Sequence, residues 1–153
     1  MAEPFVVEPT GGRSLDLNTF EAVVLSTGDQ TDGAFSLLRT QNEPPGFGPP
    51  LHIHHNAAEA FYVLEGEYRM YLPDGEYDCR PGSFVYVPRG VSHTFQVTSE
   101  MPGKKLNIFA PHAMVGFFEA LAATNGEVTT EQLAAIAADH DMEVVGPVPS
   151  TYL

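Results

Sequence analysis

Residues 46–66 read GFGPPLHIHHNAAEAFYVLEG, and residues 82–93 read GSFVYVPRGVSH. The first stretch holds His52, His54 and Glu59 between two glycines, and the second ends on His93. Side chains along a strand alternate between faces, so His52 and His54 point the same way. Glu59, after a short turn, returns on the neighbouring strand to face them, and His93 closes the group from a third strand. His55 has the opposite parity and points away. Three imidazoles and a carboxylate suit one divalent transition metal (Ni, Co, Mn, Fe, Cu or Zn) better than Ca or Mg. Glu59 reads either as a fourth ligand or as a hydrogen-bond partner of the ligands. A carboxylate facing an apolar interior has to be paired or bound to a cation.

The sequence around these stretches is a run of short strands. Phe20–Ser26 and Ala34–Thr40 flank the polar loop 27–33 as a hairpin, and a Pro-Asp-Gly turn at 73–75 joins two more strands. Ser83–Val87, His93–Val97 and Leu106–Phe109 complete the set. With no helical crossovers between them, the strands predict an all-β sandwich or small barrel. After Pro111 the period changes. Met114, Phe117, Phe118 and Leu121 predict a helix ending near Asn125–Gly126, and Thr129 with Gln132 predicts a capped second helix carrying Leu133, Ile136 and Ala137. The proline-broken tail 144–149 is extended.

Alternation from Glu59 sends Phe61 and Val63 inward. Tyr68 with Met70, and His93 with Phe95, follow the same rule on their strands, and Phe117 caps the barrel or packs outside it. Such a list lines a pocket or builds an ordinary core. Cys79 reads as a buried filler, His112 and His140 as residues at helix ends, and Lys104–Lys105 as a solvated loop feature. Gly66, Gly75, Gly82 and Gly90 read as turn residues.

The chain has 153 residues, 43% of them apolar, consistent with one domain. Seven Lys and Arg against twenty Asp and Glu give a formal charge of −13, which disfavours nucleic acid and anionic membrane as partners. A lone cysteine and a start without a basic, apolar leader predict a cytoplasmic protein.

The two stretches resemble the paired cupin motifs, G-x5-H-x-H-x3,4-E-x6-G and G-x5-P-x-G-x2-H-x3-N. Gly46, His52, His54, Glu59, Gly66, Gly82, Pro88, Gly90 and His93 meet every fixed position but the last, where Val97 replaces an Asn that is not a metal ligand in the family. The resemblance implies a small jelly-roll (double-stranded β-helix) barrel with the metal inside near one mouth. The expected layout is an N-terminal arm at 1–14, the barrel at 15–110, and two C-terminal helices with an extended tail at 111–153. Residues 48–55 (GPPLHIHH), 59–66 (EAFYVLEG), Phe117–Phe118, 133–137 (LAAIA) and 144–147 (VVGP) further resemble the quercetin 2,3-dioxygenase-like branch. That likeness implies a metal-dependent dioxygenase acting with O2 on a flavonol or similar hydroxylated aromatic. The substrate ring would open with release of carbon monoxide, with Glu59 as base and with Phe61, Tyr68, Met70, Phe95 and Phe117 around the substrate. The alternatives are a zinc-type polyketide cyclase or isomerase, whose metal acts only as a Lewis acid, and a non-catalytic small-molecule-binding cupin. Family analogy also implies a homodimer formed through sheet edges and the N-terminal arm.

Overall fold

A computed structural model describes residues 1–125 and 128–147. The strands in chain order are β1 (Arg13–Asp16), β2 (Glu21–Ser26), β3 (Ser36–Glu43), β4 (Leu51–His54), β5 (Ala58–Glu65), β6 (Tyr68–Leu72), β7 (Gly75–Cys79), β8 (Phe84–Val87), β9 (Thr94–Val97) and β10 (Gly103–Ala110). Two helices, α1 (Val115–Ala123) and α2 (Thr130–Ala138), precede a last strand, β11 (Met142–Gly146).

One sheet has six strands in the order β1-β2-β3-β10-β5-β8, and every pairing in it is antiparallel. Facing it are β7-β6-β9 and the pair β11-β4. These two pieces are stitched together where His52 and His93 exchange backbone hydrogen bonds, and where Gly46 and Phe47 bond to Val97. The result is a small jelly roll with two C-terminal helices. No helix among the described residues is long and apolar enough to cross a membrane.

Two apolar clusters hold the layers together. Phe61, Val63, Tyr68, Met70, Cys79, Val87, Phe95 and Val97 fill the space between the sheets. Leu38, Phe109, Met114, Phe117, Ala137 and Met142 join the helices to the barrel. Burying each large side chain of this kind stabilises the fold by roughly 1.5–3 kcal/mol. The α2 cap forms as its sequence predicts, with Gln132 N–H donating to Thr129 Oγ1 at 3.1 Å and Thr129 N–H donating to Gln132 Oε1 at 2.9 Å.

Two details differ from expectation and another sharpens it. The first sheet begins at Arg13, inside the segment read as an arm, because residues 13–16 pair with β2. The chain after α2 is extended as expected through residue 146, and it pairs as a strand: Met142 lies opposite His54 and Val144 opposite His52. Lys104 and Lys105 are in β10 rather than in a loop, and Lys105 is 2% exposed. The expected helix end at Gly126 and tail residues 148–149 lie outside the described residues.

Candidate metal centre

Strand parity puts His52 and His54 on the inner face of β4, both buried. His55 lies on the other face, half-exposed, with Nε2 3.3 Å from Glu143 Oε2. Glu59, in the first turn of alternation on β5, is 5% exposed, and His93 is 1% exposed at the bridge to His52. The turn at Pro88–Gly90 aims His93. Gly90 takes φ +82°, which only glycine adopts freely, and its N–H donates to His54 O at 2.8 Å. Each of the four residues offers one ligand atom, and these atoms all lie within 4.8 Å of one another.

Backbone carbonyls set the imidazole tautomers. His52 Nδ1–H donates to Pro50 O at 2.8 Å and His93 Nδ1–H to Val91 O at 3.0 Å, since a carbonyl can only accept. The Nε2 atoms are thereby left facing inward as donors to a metal. His54 Nε2 and His93 Nε2 stand 3.0 and 2.9 Å from Glu59 Oε1. Both nitrogens of His93 thus face acceptors, an arrangement that demands either a second proton on the ring or a cation beside it. The donor set fits a divalent transition metal.

Electrostatics point the same way. Burial, then the neighbouring His93 and His54, push His52 down to about 3, so it stays neutral and able to ligate far below neutrality. Burial would raise the Glu59 carboxyl. The charge of His54 and hydrogen bonds from His54 and His93 outweigh it and hold Glu59 below its ordinary range. Glu59 is therefore ionised, as a ligand must be.

His52, His54 and Glu59 open onto a cavity of about 400 Å³. Phe61, Phe95 and Phe117 line it, together with Phe20, Phe47 and Phe109. Tyr68 and Met70 do not. Both are buried in the core between the sheets, and Tyr68 O–H donates to Glu43 Oε1 at 2.6 Å. Burial and the Glu43 charge raise the Tyr68 hydroxyl well above its usual range. His112 and His140 line a second cleft of about 500 Å³ that reaches His54 from outside the barrel.

Four polar residues on the cavity wall escaped the sequence reading: Thr40, Glu43, Lys105 and Asn107. Lys105 Nζ donates to Thr40 Oγ1 at 2.9 Å and to Glu43 Oε1 and Oε2 at 3.1 and 3.3 Å. It also stands over the Phe95 ring, 4.1 Å from its centroid. For Lys105 and Asn107 the signal is the alternation of β10, where they share the inner face with Phe109, while Thr40 and Glu43 stand on β3.

The Cupin domain family matches residues 39–109. Quercetin 2,3-dioxygenase of Bacillus subtilis (strain 168) is 28% identical over 120 residues, covering 78% of this chain and 35% of the relative. Quercetin 2,3-dioxygenase of Aspergillus japonicus is 30% identical over 135 residues, covering 82% of this chain and 37% of the relative. The chain thus spans little more than a third of the length of these curated relatives. The polyketide cyclase RemF from Streptomyces resistomycificus superposes with a TM-score of 0.60 at 22% identity, over 71% of this chain and 80% of that one.

Proposed function

Because the chain belongs to the cupin superfamily, we propose that it is a metal-dependent dioxygenase of the quercetinase type. Its substrate in this reading is a flavonol or similar hydroxylated aromatic, opened with O2 and release of carbon monoxide. The observation that carries the proposal is the opening of His52, His54 and Glu59 onto an aromatic-walled cavity. The likeness to two quercetin dioxygenases supports the substrate class.

A divalent metal held by His52, His54, Glu59 and His93 would supply Lewis acidity and, if redox-active, an electron path between substrate and O2. The chain's own residues do the rest. Phe61, Phe95 and Phe117 take the faces of a planar ligand, and about 400 Å³ admits one such molecule. Glu59 Oε1 is occupied by the two imidazoles, while Oε2 makes no hydrogen bond among the described residues and is the atom that accepts the substrate hydroxyl proton. A carboxylate held below its ordinary range is a weak base, so this transfer requires a substrate hydroxyl acidified by the cation. We extend the proposal to a homodimer, supported by Tyr62, Phe84 and Tyr86, exposed together at the β8 edge of the large sheet.

The test is metal analysis of untagged protein followed by oxygen uptake with a flavonol panel. Uptake that disappears in His52→Ala and Glu59→Gln supports the proposal. No uptake with any redox-active metal and any flavonol refutes it. A native zinc site with no uptake would favour the Lewis-acid alternative.

A further inference from the structure

On the polar wall of the cavity, away from the candidate metal ligands, Asn107 Oδ1 has no hydrogen-bond partner among the described residues. Asn107 is 3% exposed, in the middle of β10 between Leu38 of β3 and Phe61 of β5, and it lines the same cavity as the metal ligands. Its Nδ2 donates both protons, to Leu38 O at 3.3 Å and to Thr40 Oγ1 at 3.1 Å. Neither acceptor could serve a flipped amide. Leu38 O has no proton to give, and Thr40 Oγ1–H is committed to Glu43 Oε1 at 2.9 Å. The orientation of Asn107 is thus fixed by its neighbours, and its Oδ1 is left without a hydrogen-bond partner among the described residues. Among the described residues the one sealed-off side-chain polar atom without a partner is Ser26 Oγ, so Asn107 Oδ1 is open to the cavity, where it can accept from a ligand donor.

We propose that Asn107 is a specificity-determining residue whose Oδ1 accepts a hydrogen bond from a hydroxyl of the substrate, remote from the group anchored at the metal. The inference rests on the aromatic-hydroxyl reading of the cavity given above. Register supplies the spacing. Phe109 lies opposite Glu59, and Asn107 is two residues further along β10, roughly 7 Å at about 3.4 Å per residue. That is the reach of one fused aromatic ring beyond the metal-bound end. The charge of the wall narrows the ligand class. The Lys105 ammonium is engaged by Thr40 and by Glu43, and the pair is neutral. Away from the candidate metal position, the cavity wall among the described residues has no further cation, so the Asn107 end favours a neutral hydroxyl over a carboxylate or phosphate.

The experiment uses metal-loaded protein under anaerobic conditions, titrated calorimetrically with two probes. One is 3-hydroxyflavone, which carries only the anchoring hydroxyl. The other is quercetin, which carries further hydroxyls. The wild type should prefer quercetin by about tenfold, the value of one hydrogen bond to a buried acceptor. Asn107→Leu should bring the two affinities within about twofold of each other without loss of metal. Asn107→Ala makes the same test should the leucine variant lack a cooperative thermal transition. An unchanged preference in the variants, or none in the wild type, overturns the assignment of Asn107 and leaves the flavonol reading standing. Failure of both probes to bind the wild type overturns the flavonol reading and this assignment with it.

Discussion

Replacing Lys105 with methionine should be among the most destabilising changes available outside the metal ligands. The two side chains of the Lys105–Glu43 pair are 2% and 1% exposed, with Nζ 3.1 Å from Oε1. At an effective dielectric of about 20, unit charges at that separation attract by about 5 kcal/mol. Methionine keeps most of the stem volume but strands the carboxylate, and removing one partner of a buried pair costs about 3–5 kcal/mol. Urea unfolding of metal-free protein measures this without a contribution from bound metal. With a slope of about 2 kcal/mol/M, the midpoint should fall by roughly 2 M. The double variant Lys105→Met/Glu43→Gln removes both charges while keeping an acceptor for Tyr68 and Thr40. It should be more stable than the single variant, recovering about 2 kcal/mol or more. A single-variant cost below about 1 kcal/mol, or simple additivity in the double, would refute a tightly desolvated pair.

Three further outcomes follow from the geometry. In metal-free protein, His52 titrates near 3 when folded and at its ordinary value near 6.5 when unfolded. The unfolded chain therefore holds the extra proton between these values. Stability from His52 is present above about pH 6.5 and falls as pH drops through the window, by up to about 1.4 kcal/mol per pH unit. The difference in urea midpoint between wild type and His52→Asn at pH 7 and pH 5 isolates this contribution from the acidic surface, and a constant difference would contradict it. A Cβ at Gly103 would sit 2.3 Å from the Tyr68 hydroxyl oxygen, so Gly103→Ala should cost about 1–3 kcal/mol in thermal or urea unfolding by displacing the Tyr68–Glu43 bond. A wild-type dimer in light scattering should become monomeric in Phe84→Lys/Tyr86→Lys, and a monomeric wild type would remove the proposed β8 interface.

Periodicity made the candidate metal centre legible. His52, His54, Glu59 and His93 are separated by spacings that strand alternation converts directly into a common point, and the same parity turns His55 away. The helices were legible for the same reason, down to the Thr129–Gln132 cap. The strand at 106–109 was legible too, but the inward face of β10 was not, because its hydropathy argues for the wrong face. Leu106 and Ile108 are its most apolar partners in alternation, yet they point outward and are only half-buried, while Lys105 and Asn107 point in. A buried lysine is legible only once Glu43, Thr40 and Tyr68 are known to surround it, and Glu43 and Thr40 lie 62 and 65 residues away in the chain. Tyr68 and Met70 have the right parity for the interior, but parity alone does not separate the cavity wall from the packed core behind it.

The pairing of β11 with β4 bears on how the protein is made. The strand carrying two metal ligands finds its neighbour from across the chain, with His55 and Glu143 separated by 88 residues. At a synthesis rate of about 5–20 residues per second, His55 leaves the ribosome roughly 4–18 s before its partner does. During that interval the edge of β4 has no strand beside it, and two exposed histidines on a nascent chain offer any passing metal a weak, incomplete site. All four candidate ligands therefore leave the ribosome before the strand that covers the β4 edge, and an ion meeting them earlier would find that edge still open.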